Sequence, residues 1–162
     1  MRYPSIARKL RLLGKKDQEA RRAFKPGVPW SDAADRKRTI WLKAMVKKYG
    51  WPTVGMVGKT ASRAAWLIAQ HAGFNQKFQS LALRKMKEAH RSNPNDIELT
   101  HIAYLTDRIL TQKGKPQIYG TQLTILKTGK IRPLPIKDRE RLNARRKAMG
   151  LDSFEKYLRS AR

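Results

Sequence analysis

Thr60 to Gly73, TASRAAWLIAQHAG, decides how the rest of the chain is read. It is the helix-length stretch that is nearly apolar and yet ends in two polar side chains, Gln70 and His71. Ala61, Ala64, Ala65, Leu67, Ile68 and Ala72 recur at the three- and four-residue steps of a helix, while Trp66 and Ala69 carry the apolar surface round most of its circumference. A helix of this kind belongs in the middle of a domain. His71 lies one turn beyond Leu67 and shares its face, so its imidazole is expected in the interior or in a cleft that opens from it. The plain alternative is a hydrogen-bonded core or capping histidine.

Upstream, Ser5 to about Phe24 reads as a helix with Ile6, Leu10 and Leu13 as its apolar stripe, and Gly14 as a break or kink. Asp17, Gln18 and Arg21 follow on it. Pro26, Gly27 and Pro29 predict a turn, and Ser31 an N-cap for a second helix through Tyr49 that buries Ile40, Trp41, Met45, Val46 and Tyr49. Gly50 to Gly58, GWPTVGMVG, holds three glycines and a proline and reads as a loop delivering the chain to the central helix. Gly58-Lys59-Thr60 matches the end of a nucleotide-binding loop, but the preceding strand and the second glycine at the required spacing are missing, which excludes a nucleoside triphosphatase of that type.

Downstream, Asn75 to Arg91 is amphipathic, and Asn93-Pro94-Asn95 ends it and starts the next helix, Asp96 to Gln112. Leu99, Ile102, Leu105 and Ile109 point inward there, with Asp107 and Arg108 at opposite borders of the apolar arc, while His90 and His101 are expected at the surface. The period changes between Gly114 and Ile136, which predicts a hairpin or two short extended arms around Thr128-Gly129, with Tyr119 and Gly120 allowing close approach of a ligand. Asp138 then caps a basic helix to Met149, Gly150 stops it, and Asp152 starts a short final helix. The expected fold is mainly α: one compact domain over residues 1–162, of about six helices with a small β-hairpin near 116–136. Basic helices at residues 1–25 and 138–162 are expected to pack on the central helical core.

Charge is the most unusual global property. The chain has 37 Lys+Arg against 12 Asp+Glu, a net charge of +25. Residues 1–50 carry 15 basic and 4 acidic groups and residues 129–162 carry 11 and 4, so the excess sits toward the two ends. A nucleic acid or another polyanion is the expected partner of such a surface, the alternative being a solvated, self-repelling surface. The four tryptophans read as core or loop anchors, not as stacking platforms. The absence of Cys excludes disulfides, thiolate zinc sites and cysteine nucleophiles. No apolar run approaches the roughly 20 residues of a membrane span and no secretion signal opens the chain, so no membrane partner and a cytoplasmic location are expected.

Several segments together, Asp17-Gln18 with Arg21, Gly50-Trp51-Pro52-Thr53, Ala65 to Ala72 (AWLIAQHA), Tyr104 to Arg108 (YLTDR), Gln117 with Tyr119 to Gln122 (YGTQ), and Arg145-Arg146 with Gly150-Leu151, carry a resemblance. The chain resembles an uncharacterised bacterial family, a domain of unknown function, over nearly its whole length. That resemblance brings no activity with it, and the strong positive charge departs from the family's pattern.

The candidate chemistry therefore comes from the residues. His71, Asp107 and Tyr119 are the candidate catalytic groups; Gln70, Arg108, Gln117, Gln122 and Arg21 are the candidate substrate-binding groups. A histidine transfers protons near neutral pH, a carboxylate orients it, amides read a planar or phosphorylated group, and a phenol or guanidinium stabilises developing negative charge. His71 is expected within a hydrogen bond or one water of a polar group in 104–108 or 117–122. His71, His90 and His101 show no ligand spacing, so neither a metal nor another cofactor is expected. Two readings follow: a small metal-independent hydrolase or transferase acting on nucleic acid or a phosphorylated substrate, or a noncatalytic basic RNA- or DNA-binding protein whose polar core only fixes the fold.

Overall fold

The computed structural model describes residues 2–25 and 28–161. The turn expected at Pro26 and Gly27 lies outside them. The described chain is mainly helical with a two-stranded antiparallel hairpin, as the periodicities indicate, and it packs as two compact units, Met1–Ile97 and Glu98–Arg162.

The first unit contains α1 (Pro4–Arg22), α2 (Ala33–Tyr49), α3 (Val54–Val57), α4 (Lys59–Gln70) and α5 (Gln76–Ser92), then a 3-10 turn at Pro94–Asp96. α4 is its centre, and α1, α2, α3 and α5 all pack on it. Ala61, Ala65 and Ala69 are wholly buried, and such small side chains let neighbouring backbones approach. Leu10, Leu42, Val57, Phe78 and Met86 fill the space around them, each contributing about 1.5–3 kcal/mol through loss of apolar surface to water.

Gly14 does not kink α1. It lies in the middle of a continuous helix at the crossing with α4, where an added Cβ would stand 2.6 Å from the Cβ of Ala64. The glycine is there for close packing. Residues 50–58 likewise hold more order than a loop. The hydroxyl of Thr53 accepts from the Met56 amide at 3.4 Å, Val54–Val57 form one helical turn, and Gly50 and Gly58 flank it at φ 80° and 82°. Here the glycines supply the positive φ values that end one segment and begin the next. The Asp96 carboxylate ties the 3-10 turn to α3 by accepting from the Gly55 amide at 2.7 Å.

α2 buries Met45 and Val46 as its apolar pattern indicates, but not Ile40 or Tyr49. Asp35, Arg38, Thr39, Leu42, Met45 and Val46 point inward, whereas Ile40 is 69 % exposed, Tyr49 is at the surface and Trp41 is half-buried. An Asp–Arg ion pair three residues apart shares the buried face with Leu42, Met45 and Val46. The helix begins after Asp32, not Ser31, although the Ser31 hydroxyl accepts from the Ala33 amide at 3.4 Å.

The second unit contains α6 (Leu99–Gln112), β1 (Leu123–Ile125), β2 (Ile131–Pro133), α7 (Leu142–Ala148) and α8 (Phe154–Ser160). Leu123 pairs with Pro133, Thr124 with Arg132 and Ile125 with Ile131, and Gly129 turns the hairpin at φ 78°. The hairpin is shorter than the change of period implies. Residues 118–122 are not strand, because the amides of Ile118, Tyr119 and Thr121 are turned onto the side chain of Asp107 and that of Gln122 onto the side chain of Gln117. Asp107 and His101 are both buried, where a single apolar stripe on α6 places them at its border and on its exposed side; α6 is enclosed over a wider arc. Gly120, at φ 67°, does meet a close neighbour, but it is the Phe154 ring, 2.9 Å from where a Cβ would sit. Asp138 adopts a positive φ of 47° ahead of α7, and Ser153, not Asp152, caps α8 by accepting from the Lys156 amide at 3.3 Å.

Candidate acid–base site

The polar interior of the first unit is built by α1, α2 and the end of α4. Asp17 and Arg21 stand one turn apart on α1, Asp35 and Arg38 one turn apart on α2, and His71 is the C-cap of α4. Arg21 bridges the two carboxylates: one terminal nitrogen lies 3.4 Å from Asp17 Oδ1 and 3.0 Å from Asp35 Oδ2. Arg38 donates to Asp35 Oδ1 at 2.6 Å and stands 3.7 Å from Asp17 Oδ1. Gln18 donates to Asp17 Oδ2 at 2.9 Å, and the Trp30 indole N–H to Asp35 Oδ2 at 3.1 Å. Two anions thus face two cations, and with a neutral imidazole the network has no net charge. Desolvation alone would lift the Asp17 carboxyl, but the hydrogen bond and charge of His71, with Gln18 and Arg21, outweigh it and hold it below the usual value.

His71 completes the network through Nδ1, which lies 3.0 Å from Asp17 Oδ2, 3.1 Å from Asp17 Oδ1 and 2.9 Å from Arg21 Nε. One nitrogen cannot both donate to the carboxylate and accept from the guanidinium. The tautomer therefore decides which bond forms. The His71 side chain is 17 % exposed against 0 % for Asp17, and Nε2 makes no hydrogen bond among the described residues. A half-buried imidazole fixed at one nitrogen and unengaged at the other is equipped for proton transfer.

The second unit holds a separate polar cluster centred on Asp107. Its Oδ1 accepts from the Ile118 amide at 2.7 Å and the Tyr119 amide at 3.1 Å; its Oδ2 accepts from the Thr121 amide and hydroxyl, both at 3.0 Å. Gln117 works as a side-chain bridge in the backbone ladder, donating to the carbonyls of Gln122 and Leu134 and accepting from the Gln122 amide at 2.8 Å. The outer side of the loop is held by cations. Arg145 donates to the carbonyl of Ile118 at 2.9 Å, Arg146 to that of Tyr119 at 2.6 Å, and the Tyr157 hydroxyl to that of Thr121 at 2.8 Å. Burial, with the Asp107 charge and against that of Arg145, raises the Tyr119 phenol; burial, with Tyr104 adding to it, raises that of Tyr157.

The residues singled out in the sequence thus fall into two sets. Arg21 and His71 meet directly, and Gln70 precedes His71 on α4, buried, with its Oε1 free of hydrogen bonds among the described residues. Asp107, Tyr119, Gln117 and Gln122 meet in the second unit, where Tyr119 reaches Asp107 through its amide. Arg108 is half-buried on α6. Asp17, Asp35, Arg38 and Trp30 are not singled out in the sequence as members of a network with His71. A signal was present: the first fifty residues hold only four carboxylates among fifteen cations, and Asp17 and Asp35 each stand at helical spacing from an arginine.

Residues 29–162 match a family of unknown function, DUF6624, and the chain belongs to that family. No curated protein and no solved structure matches it. α1, which carries Asp17 and Arg21, precedes the matched region.

Proposed function

We propose that this protein is a metal-independent acid–base enzyme, a hydrolase or transferase acting on a phosphorylated or nucleic-acid substrate, in which His71 transfers the proton and Asp17 orients it. The observation that carries this reading is the pairing of His71 Nδ1 with a fully buried carboxylate at 3.0 Å while Nε2 makes no hydrogen bond among the described residues. Two carboxylate oxygens compete with one guanidinium nitrogen for Nδ1. The carboxylate wins, because an Nδ1–H bond to Asp17 serves the imidazole in both its neutral and its protonated form, whereas accepting from Arg21 is possible only in the neutral one. The terminal nitrogen of Arg21 keeps its links to both carboxylates in either case, while its Nε–H, 2.9 Å from Nδ1, gives up that acceptor in this tautomer. Nε2 is then the base that takes a proton from water or a substrate hydroxyl, and the acid that returns it to the leaving group. The excess of positive charge supports an anionic substrate.

A screen of phosphomonoesters, phosphodiesters and oligonucleotides with wild type and His71→Ala tests it. Conversion of one class by wild type, lost on His71→Ala with folding retained, is the expected result. Equal conversion by both proteins would remove His71 from the chemistry. The second reading, a noncatalytic nucleic-acid-binding protein, draws on Asp107 and Gln117, whose polar atoms are engaged mainly with their own backbone.

A further inference from the structure

A groove of about 250 Å³ runs between α1 and α4 in the first unit. Arg11, Lys15 and Arg22 line it from α1 and Arg63 from α4, with Gln18 and Leu67 between them. Among the described residues no carboxylate lines it. All four cations are exposed, and the one ion pair they make among the described residues, Lys15 with Glu19 at 3.8 Å, joins two well-hydrated side chains that separate at little cost. Arg11 and Arg22 are eleven residues apart on one helix, about 16 Å along its axis, too far to grip a single phosphate together. The spacing suits a chain of phosphates.

Two features at one end of the groove narrow the ligand further. Gln18 lines the groove and donates to Asp17, the carboxylate that holds His71, and His71 itself is one helical turn beyond Leu67 on α4. Two residues past Arg22, Phe24 packs edge-on against Trp30 with centroids 5.6 Å apart, and Arg21 covers the Trp30 ring at 4.7 Å. Phe24 is 46 % and Trp30 36 % exposed, so this pair is a surface platform, and Trp30 is anchored from the loop by its indole N–H on Asp35. Phosphate-spaced cations leading to an exposed aromatic pair are what a strand with unpaired bases requires: electrostatic grip on the backbone and a surface on which a base stacks.

We infer that the α1–α4 groove binds single-stranded nucleic acid, its phosphates along Arg11, Lys15, Arg22 and Arg63 and a base on Phe24 and Trp30, which delivers a phosphodiester toward His71. This rests on the acid–base reading only for what happens after binding. The test is fluorescence anisotropy with a labelled single strand of about twelve nucleotides, as RNA and as DNA, across a salt series. The expected results are that Arg11→Gln/Arg63→Gln lowers the log–log salt slope by about 1.4, that Phe24→Ala weakens binding roughly tenfold, and that Lys43→Gln/Lys47→Gln, which removes equal charge from the surface of α2, does less than half as much to the slope as the groove pair. If the α2 pair matches the groove pair, or if a mononucleotide or a duplex binds as well as the single strand, the inference is overturned. Tight, groove-dependent binding without conversion of the strand would uphold it and remove the nucleic-acid strand as the substrate of the acid–base reading.

Discussion

Replacing Asp107 by Ala should open the 118–121 loop and destabilise the second unit by about 3–5 kcal/mol, and the size of that loss follows from the donors it strands. Three backbone amides, those of Ile118, Tyr119 and Thr121, and the Thr121 hydroxyl all end on this one carboxylate. A buried donor left without an acceptor costs about 1–3 kcal/mol, so three amides bound the loss at about 3–9 kcal/mol. The upper part of that range is relieved as the loop opens to water, since the Ile118 and Tyr119 side chains are only half-buried. Asp107→Asn keeps one acceptor oxygen but sets an NH2 group against the donors of the other, and should cost less than Ala. The second unit contains no tryptophan of its own to report this change. Amide hydrogen exchange reports it. A loss of about 3 kcal/mol or more is a fall in protection of about a hundredfold or more, concentrated at residues 118–121. Protection unchanged within about threefold would refute the view that Asp107 organises this loop.

Other outcomes follow from the packing and the charges. Gly14→Ala gains about 1 kcal/mol of helix propensity but drives a methyl group to 2.6 Å from Ala64, so α1 and α4 must separate; a net loss of about 1–2 kcal/mol is expected in urea unfolding followed by tryptophan fluorescence, and a stabilised variant would contradict the crossing. Because the Asp17 carboxyl is held below the ordinary carboxylate value in the folded state, its contribution to stability is present above about pH 4 and is lost as pH falls through the lowered value. Asp17→Asn should flatten the acid limb of a stability–pH profile, and an acid limb identical to wild type would count against the network.

Periodicity located the helices because most of their burial is apolar, and the central position of α4 could be read directly from the near-absence of a polar face in 60–73. It failed where polar groups form the interior. Asp35 and Arg38 are buried on α2 beside Leu42, Met45 and Val46, where hydrophobicity assigns only the apolar three, and Asp107 converts an apparent strand at 117–122 into a loop wrapped round a carboxylate. His71 stood out as a polar end on an apolar helix. Its partner Asp17 did not, because it lies 54 residues earlier and the pair forms only when α1 packs on α4. Gly14, the residue that permits that packing, looks in the sequence like a helix breaker.

The central claim is that Asp17 holds the His71 imidazole by Nδ1 and leaves Nε2 as the base. Nitrogen-15 NMR of the imidazole, recorded above the pH at which the ring loses its proton, reads this directly and needs no substrate. The account predicts the Nδ1–H tautomer, with a proton on Nδ1 and a lone pair on Nε2, and loss of that preference in Asp17→Ala. A wild-type spectrum with the proton on Nε2, and Nδ1 accepting from Arg21, would contradict it.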